Sequence, residues 1–146
     1  MKKILLEIMM GLLLPTAVFH TLLPVIFSAE KAVNKQISFS IARDNNYDAK
    51  AYDMACASVH VIIFKVKDKK QVVLWERMFD TLQLKNYPTS ANAFCQTVNV
   101  KNIFDRKEKL FVTYIVTYNN SGSVMQLENG TTVAQGVKQK KLAINI

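Results

Sequence analysis

Asp44, Asn46 and Asp48 fall at alternate positions in a polar stretch, with Asp53 further on. Oxygen ligands spaced this way suit calcium, because alternate side chains of a tight loop converge on one ion. The rest of such a loop is missing. Ala49 stands where the glycine of an EF-hand would lie, Ala55 where its bidentate glutamate would lie, and Arg43 and Lys50 add opposing charge. The stretch therefore reads first as an inter-strand turn, in which Asp and Asn bond their own backbone; a calcium site at Asp44, Asn46 and Asp48 is the alternative, and no other metal site is expected. His60 is the only histidine after residue 29, too few for multi-histidine zinc or copper sites. It lies in the most apolar run of the chain and reads as a core or sheet-face residue. Glu76 with Asp80, and Asp105 with Glu108, are the carboxylates that could act in pairs on a glycosidic bond, which needs them about 5–10 Å apart. Nothing resembles a nucleophile elbow, so no catalytic residue is assigned and no cofactor is implied.

Cys56 and Cys95 are the only cysteines, and they lack a CxxC spacing. In an oxidising compartment such a pair is most simply one disulfide. The bridge would close 39 residue steps, for which chain entropy gives about 4 kcal/mol. The chain is basic, with a net charge of +8, and its lysines and arginines gather at three places: Lys65, Lys67, Lys69 and Lys70; Arg106, Lys107 and Lys109; Lys138, Lys140 and Lys141. Lysine at turns and strand ends commonly serves solubility and keeps edges from pairing. Its functional counterpart is attraction to an acidic partner, a protein or an acidic surface polymer. The first group is the candidate binding surface, on the expectation that its lysines point outward while Phe64 and Val66 anchor inward. Nucleic acid is not an expected partner, because the aromatics do not interleave with the basic groups. Asn119-Asn120-Ser121 and Asn129-Gly130-Thr131 match the glycosylation sequon and read here as turns.

The elements that must position these residues follow an N-terminal hydrophobic leader. Lys2 and Lys3 precede an apolar run over residues 4–27, which ends at Ser28-Ala29. The pattern is that of a signal peptide or, uncleaved, a signal anchor, with Phe27, Glu7, Pro15 and Pro24 as irregularities. Residues 30–146 are then expected as one secreted or periplasmic domain, touching a membrane only through an uncleaved leader.

Ile37, Phe39 and Ile41 alternate with serines, the period of a half-buried strand. Residues 59–66 are almost continuously apolar and suit a strand buried on both faces. A polar turn at 67–70 leads into a second run at 71–79. Shorter strands are expected at 82–84 and 94–100, a connection at 102–108, and a long alternating strand at 110–118. Asn119-Asn120-Ser121-Gly122 stops that strand. Asn129-Gly130, between apolar runs at 124–127 and 131–134, signals a hairpin, and residues 142–146 alternate again. Eight or nine short strands with polar turns predict an all-β, antiparallel β-sandwich, immunoglobulin-like or similar. The order Cys56, Trp75, Cys95 suits an immunoglobulin domain, but the cysteine spacing is short and Ala93 stands where its corner tyrosine would. The sandwich is therefore an architecture here, with no family attached. The function expected of it is that of an exported, non-catalytic binding module, such as an accessory component of a cell-envelope or secretion assembly. The alternatives are an adhesin or pilus-type subunit, which would need a long, uncharged, exposed edge strand, and a small secreted enzyme using carboxylates.

Overall fold

The computed structural model describes residues 30–146; the expected leader, 1–29, lies outside them. Seven strands follow in order: β1 (Val33–Ala42), β2 (Cys56–Lys67), β3 (Lys70–Gln83), β4 (Phe94–Ile103), β5 (Lys109–Asn120), β6 (Ser123–Val133) and β7 (Gln139–Asn145). Short 3-10 turns at Leu84–Asn86 and Ser90–Asn92 connect β3 to β4. The strands form two sheets, β4-β1-β7 and β3-β2-β5-β6, in a sandwich-like arrangement around one core. The larger sheet is antiparallel throughout. The smaller one is mixed, because β7 runs parallel to β1, which corrects the expectation of a purely antiparallel fold.

Alternation builds the core. Ile37, Phe39 and Ile41 of β1 are buried from one sheet, and Val59, Val61 and Ile63 of β2 from the other. Leu110, Val112 and Val116 of β5 and Ile144 of β7 complete the same layer, and each such side chain contributes about 1.5–3 kcal/mol by leaving water. Two hairpins have two-residue turns with both residues at positive φ: Asp68 (50°) with Lys69 (64°), and Ser121 (50°) with Gly122 (89°). That backbone twist matches the twist of the flanking strands, and both turns stand where the polar segments of the sequence place them.

The count is seven rather than eight or nine because two expected breaks are absent. β3 runs unbroken through Asp80-Thr81 to Gln83, and Leu84 is buried in the following 3-10 turn. β6 continues straight through Asn129-Gly130. A Cβ at position 130 would lie 2.7 Å from Thr113 Cγ2 and 3.2 Å from Val112 O; glycine is there for a close cross-strand approach, and no turn forms. The central strand β2 is also buried on one face only. On its other face Ile62 and Phe64 are half-exposed, with Phe64 stacked on Phe111 at 5.1 Å between ring centroids.

No disulfide forms: Cys56 and Cys95 are free thiols. Cys56 is out of phase with the buried Ala57, Val59 and Val61, and Cys95 is out of phase with the buried Val98 and Val100. Each therefore points away from the core, and they do so from different sheets. The protein interior separates them, whereas a bridge needs Cβ atoms about 4 Å apart. Each Sγ instead faces a carbonyl two residues back, Met54 O at 3.8 Å and Ala93 O at 3.5 Å.

Candidate binding site

One end of the two-sheet body is closed by ion pairs. Lys35 is in phase with Ile37 and Phe39, so β1 aims it inward, where it is 2 % exposed. Its ammonium reaches Asp105 Oδ1 at 2.7 Å and donates to Val137 O at 2.9 Å and Ala134 O at 3.2 Å. Three donors meet three acceptors, which removes the desolvation cost of a lone buried charge. Asp105 Oδ2 also accepts the Gly136 N–H at 2.9 Å. Beside it Lys65 donates to Glu108 Oε1 at 2.9 Å, while Glu108 Oε2 accepts the Phe104 N–H at 3.0 Å. Burial alone would raise the pKa of both carboxyls. The hydrogen bonds and charges of Lys35 and Lys65, with the backbone N–H groups, outweigh it and hold both below the ordinary carboxylate range. Carboxylates held ionised in this way are poor general acids, which need a raised pKa.

The Lys65 contact corrects the expected orientation of the lysine hairpin. Lys65 points inward with Val61 and Ile63, and Phe64 points outward, the reverse of the expected orientation. Lys67, Lys69 and Lys70 remain exposed at the hairpin tip. The other candidates are also placed. Asp44 Oδ1 accepts the Asn46 N–H at 2.7 Å and Asp48 Oδ1 the Lys50 N–H at 2.9 Å, the backbone bonding of Asx turns. Among the described residues no three His, Cys, Asp or Glu side chains converge as metal ligands. His60 Nε2 lies 3.5 Å from Glu76 Oε2 on the outer face of the larger sheet. Asp80 lines a cleft with Arg77, Phe79 and Phe94, and it is the only carboxylate among the described residues lining it.

The opposite end carries an apolar cavity of about 390 Å³. Its buried part is Ala55, Leu84 and Ile146. The 44–55 loop is fastened there by main-chain bonds: Asp44 N–H donates to Ile146 O at 2.7 Å, and Leu84 N–H to Ala55 O at 2.8 Å. Tyr47, Tyr52 and Tyr118 line the cavity, and Asp44 is the only charged side chain among its described lining residues. Burial, then Tyr114 and Asp44, raise the Tyr118 pKa. Nearby, Tyr87 donates its hydroxyl to Ala57 O at 2.7 Å, and burial, with Tyr118 and Cys56, pushes its pKa up to about 12. Tyr87 and Tyr118 thus keep their phenolic protons at neutral pH.

The cavity opens at β6. Met125 pairs across the ladder with Tyr118, and Leu127 with Val116, which is 2 % exposed. Both therefore belong to the core-facing row, yet Met125 is 54 % and Leu127 50 % exposed. A three-stranded sheet cannot cover the outermost strand of a four-stranded one along its whole length. Val133, in the same row at the closed end, is buried. Sequence reasoning passed over this site because residues 124–127 read as an ordinary hairpin arm.

β6 is also the least protected of the four sheet edges. β7 is preceded by Lys138 and carries Lys140 and Lys141; β3 carries Lys70, Glu76, Arg77 and Asp80, and its ladder has two register shifts; β4 has Lys101 and one shift. β6 carries Glu128 alone, and its ladder with β5 runs without a shift. Charges, prolines and bulges are what normally stop an edge from pairing. The chain matches no protein-family model, and searches of curated proteins and of solved structures likewise find no match.

Proposed function

We propose that the chain is an exported, non-catalytic binding module, on an immunoglobulin-like or similar sandwich, that holds a protein partner at the apolar cavity and its β6 mouth. The observation that carries this reading is the core-facing row that continues past its cover: Met125 and Leu127 are half-exposed beside an apolar cavity with one charged lining residue. An apolar concavity with a few polar groups is the usual form of a binding site. The ion-paired carboxylates at the other end support a non-catalytic role, and a place in an envelope or secretion assembly fits a leader followed by such a domain. The lysine hairpin is the second surface, reduced to its exposed tip. A photocrosslinking amino acid at position 127, in cells producing the full chain, is expected to give a discrete protein adduct that Met125→Lys abolishes. Adducts from position 69 but none from 127 would return the site to the basic hairpin.

A further inference from the structure

The main chain of β6 says how a partner would sit. The two-residue turn at Ser121-Gly122 makes Asn120 and Ser123 the first pair to exchange both hydrogen bonds, so odd-numbered residues of β6 turn their N–H and C=O toward β5. Even-numbered residues turn theirs to the open edge. Side chains blunt the far part of that edge, where Gly130 N–H donates to Asn129 Oδ1 at 2.7 Å and Thr132 O accepts from Thr131 Oγ1 at 3.4 Å. The open stretch is Val124, Gln126 and Glu128, alongside the cavity mouth at Met125 and Leu127.

Resting on the cavity reading, we propose that the partner contributes an extended segment that adds to β6 as a fifth strand of the larger sheet, with alternate apolar side chains over Met125 and Leu127 and a lysine or arginine near Asp44. Main-chain bonds would supply affinity and alternate side chains specificity, as in other strand additions. The basic preference rests on Asp44, the only charged side chain among the cavity's described lining residues. A second copy is disfavoured, since it would bring another body of net positive charge to the edge of a chain that is itself +8.

The test uses the full chain and a fluorescent eight-residue peptide, lysine at each end with leucine and threonine alternating between. Successive residues of a strand turn their N–H groups to opposite edges. N-methylation of one alternate set should therefore weaken binding at least tenfold, and methylation of the other set should leave it unchanged. Replacing the lysines by glutamate should weaken binding several-fold, and Leu127→Lys should abolish it. If both methylated peptides bind like the parent but Leu127→Lys still abolishes binding, strand addition is wrong and the cavity reading survives. If neither change matters, both fall. A parent peptide that does not bind overturns strand addition, and the photocrosslink then judges the cavity alone. Equal binding of the glutamate peptide removes the basic preference. Sedimentation as a dimer that Leu127→Lys dissolves would give the edge to a second copy and overturn the proposal.

Discussion

The two ends of the molecule use acidic residues in opposite ways. At the Lys35 end Glu108 is buried and Asp105 half-buried against lysines, and their oxygens meet donors from β1, β2 and the adjoining loops. At the other end Asp44 turns one oxygen to its own loop backbone and is the only charged side chain among the described residues lining an apolar cavity, with the Arg43 guanidinium stacked on Tyr47 beside it. The first arrangement has satisfied its charges internally and has little left to offer a ligand. The second leaves apolar surface and main-chain groups unsatisfied, which is what recognition requires. Charge clusters in this chain therefore include groups already paired within the fold.

Breaking the closed end should have the largest effect. Lys35→Ala leaves Asp105 and two carbonyls without their buried partner and should cost about 3–5 kcal/mol in urea unfolding. Lys35→Met combined with Asp105→Leu should cost less than the single change, since no charge is stranded. A Lys35→Ala cost under about 1 kcal/mol would show that the pair does not hold this end.

Acid should act on the same end, with a smaller effect. Asp105 and Glu108 have folded pKa values below their ordinary ones, so their contribution is complete above the unfolded values near 4 and is lost as pH falls through the folded ones. Melting temperature should thus decline on acidification below about pH 4. An Asp105→Asn, Glu108→Gln variant should start lower at neutral pH and decline less. Equal slopes for the two proteins would place the acid sensitivity elsewhere.

The smallest effect is expected from the cysteines. A thiol reagent should titrate both in the native protein, Cys95 faster because it is more exposed. The Cys56→Ser, Cys95→Ser protein should lose less than about 1 kcal/mol, where a bridge would have contributed about 4. A loss near the larger figure, with no free thiols, would mean that the two sheets can rearrange to join them.

Phase along each strand explains what the sequence discloses and what it hides. Ile37-Phe39-Ile41 and the alternation over 110–118 disclose β1 and β5, because period two and a single core leave little freedom. The same parity count, extended to charged residues, would have found the site-closing lysines: Lys35 is in phase with Ile37, and Lys65 with Ile63. It would also have separated the cysteines, since Cys95 shares its phase with Thr97 and Asn99. Asn129-Gly130 misleads because glycine serves two ends, a positive φ and a close approach, and sequence shows only that it is glycine. The cavity mouth is hidden for a different reason: whether Met125 and Leu127 are covered depends on how many strands the facing sheet has.

The parallel pairing of β1 with β7 bears on the order of assembly. Lys35 reaches Val137 across 102 positions of chain, and Ile37 sits beside Lys140. Two pairings of the larger sheet, β2 with β3 and β5 with β6, are instead hairpins of consecutive strands, although β2 meets β5 across as many as 63 positions. The β2-β3 and β5-β6 hairpins can therefore form while β1 still waits for β7, since distant pairings are the slow ones. During that interval the core rows of both hairpins lie bare, and Met125 and Leu127 are still half-exposed in the finished molecule.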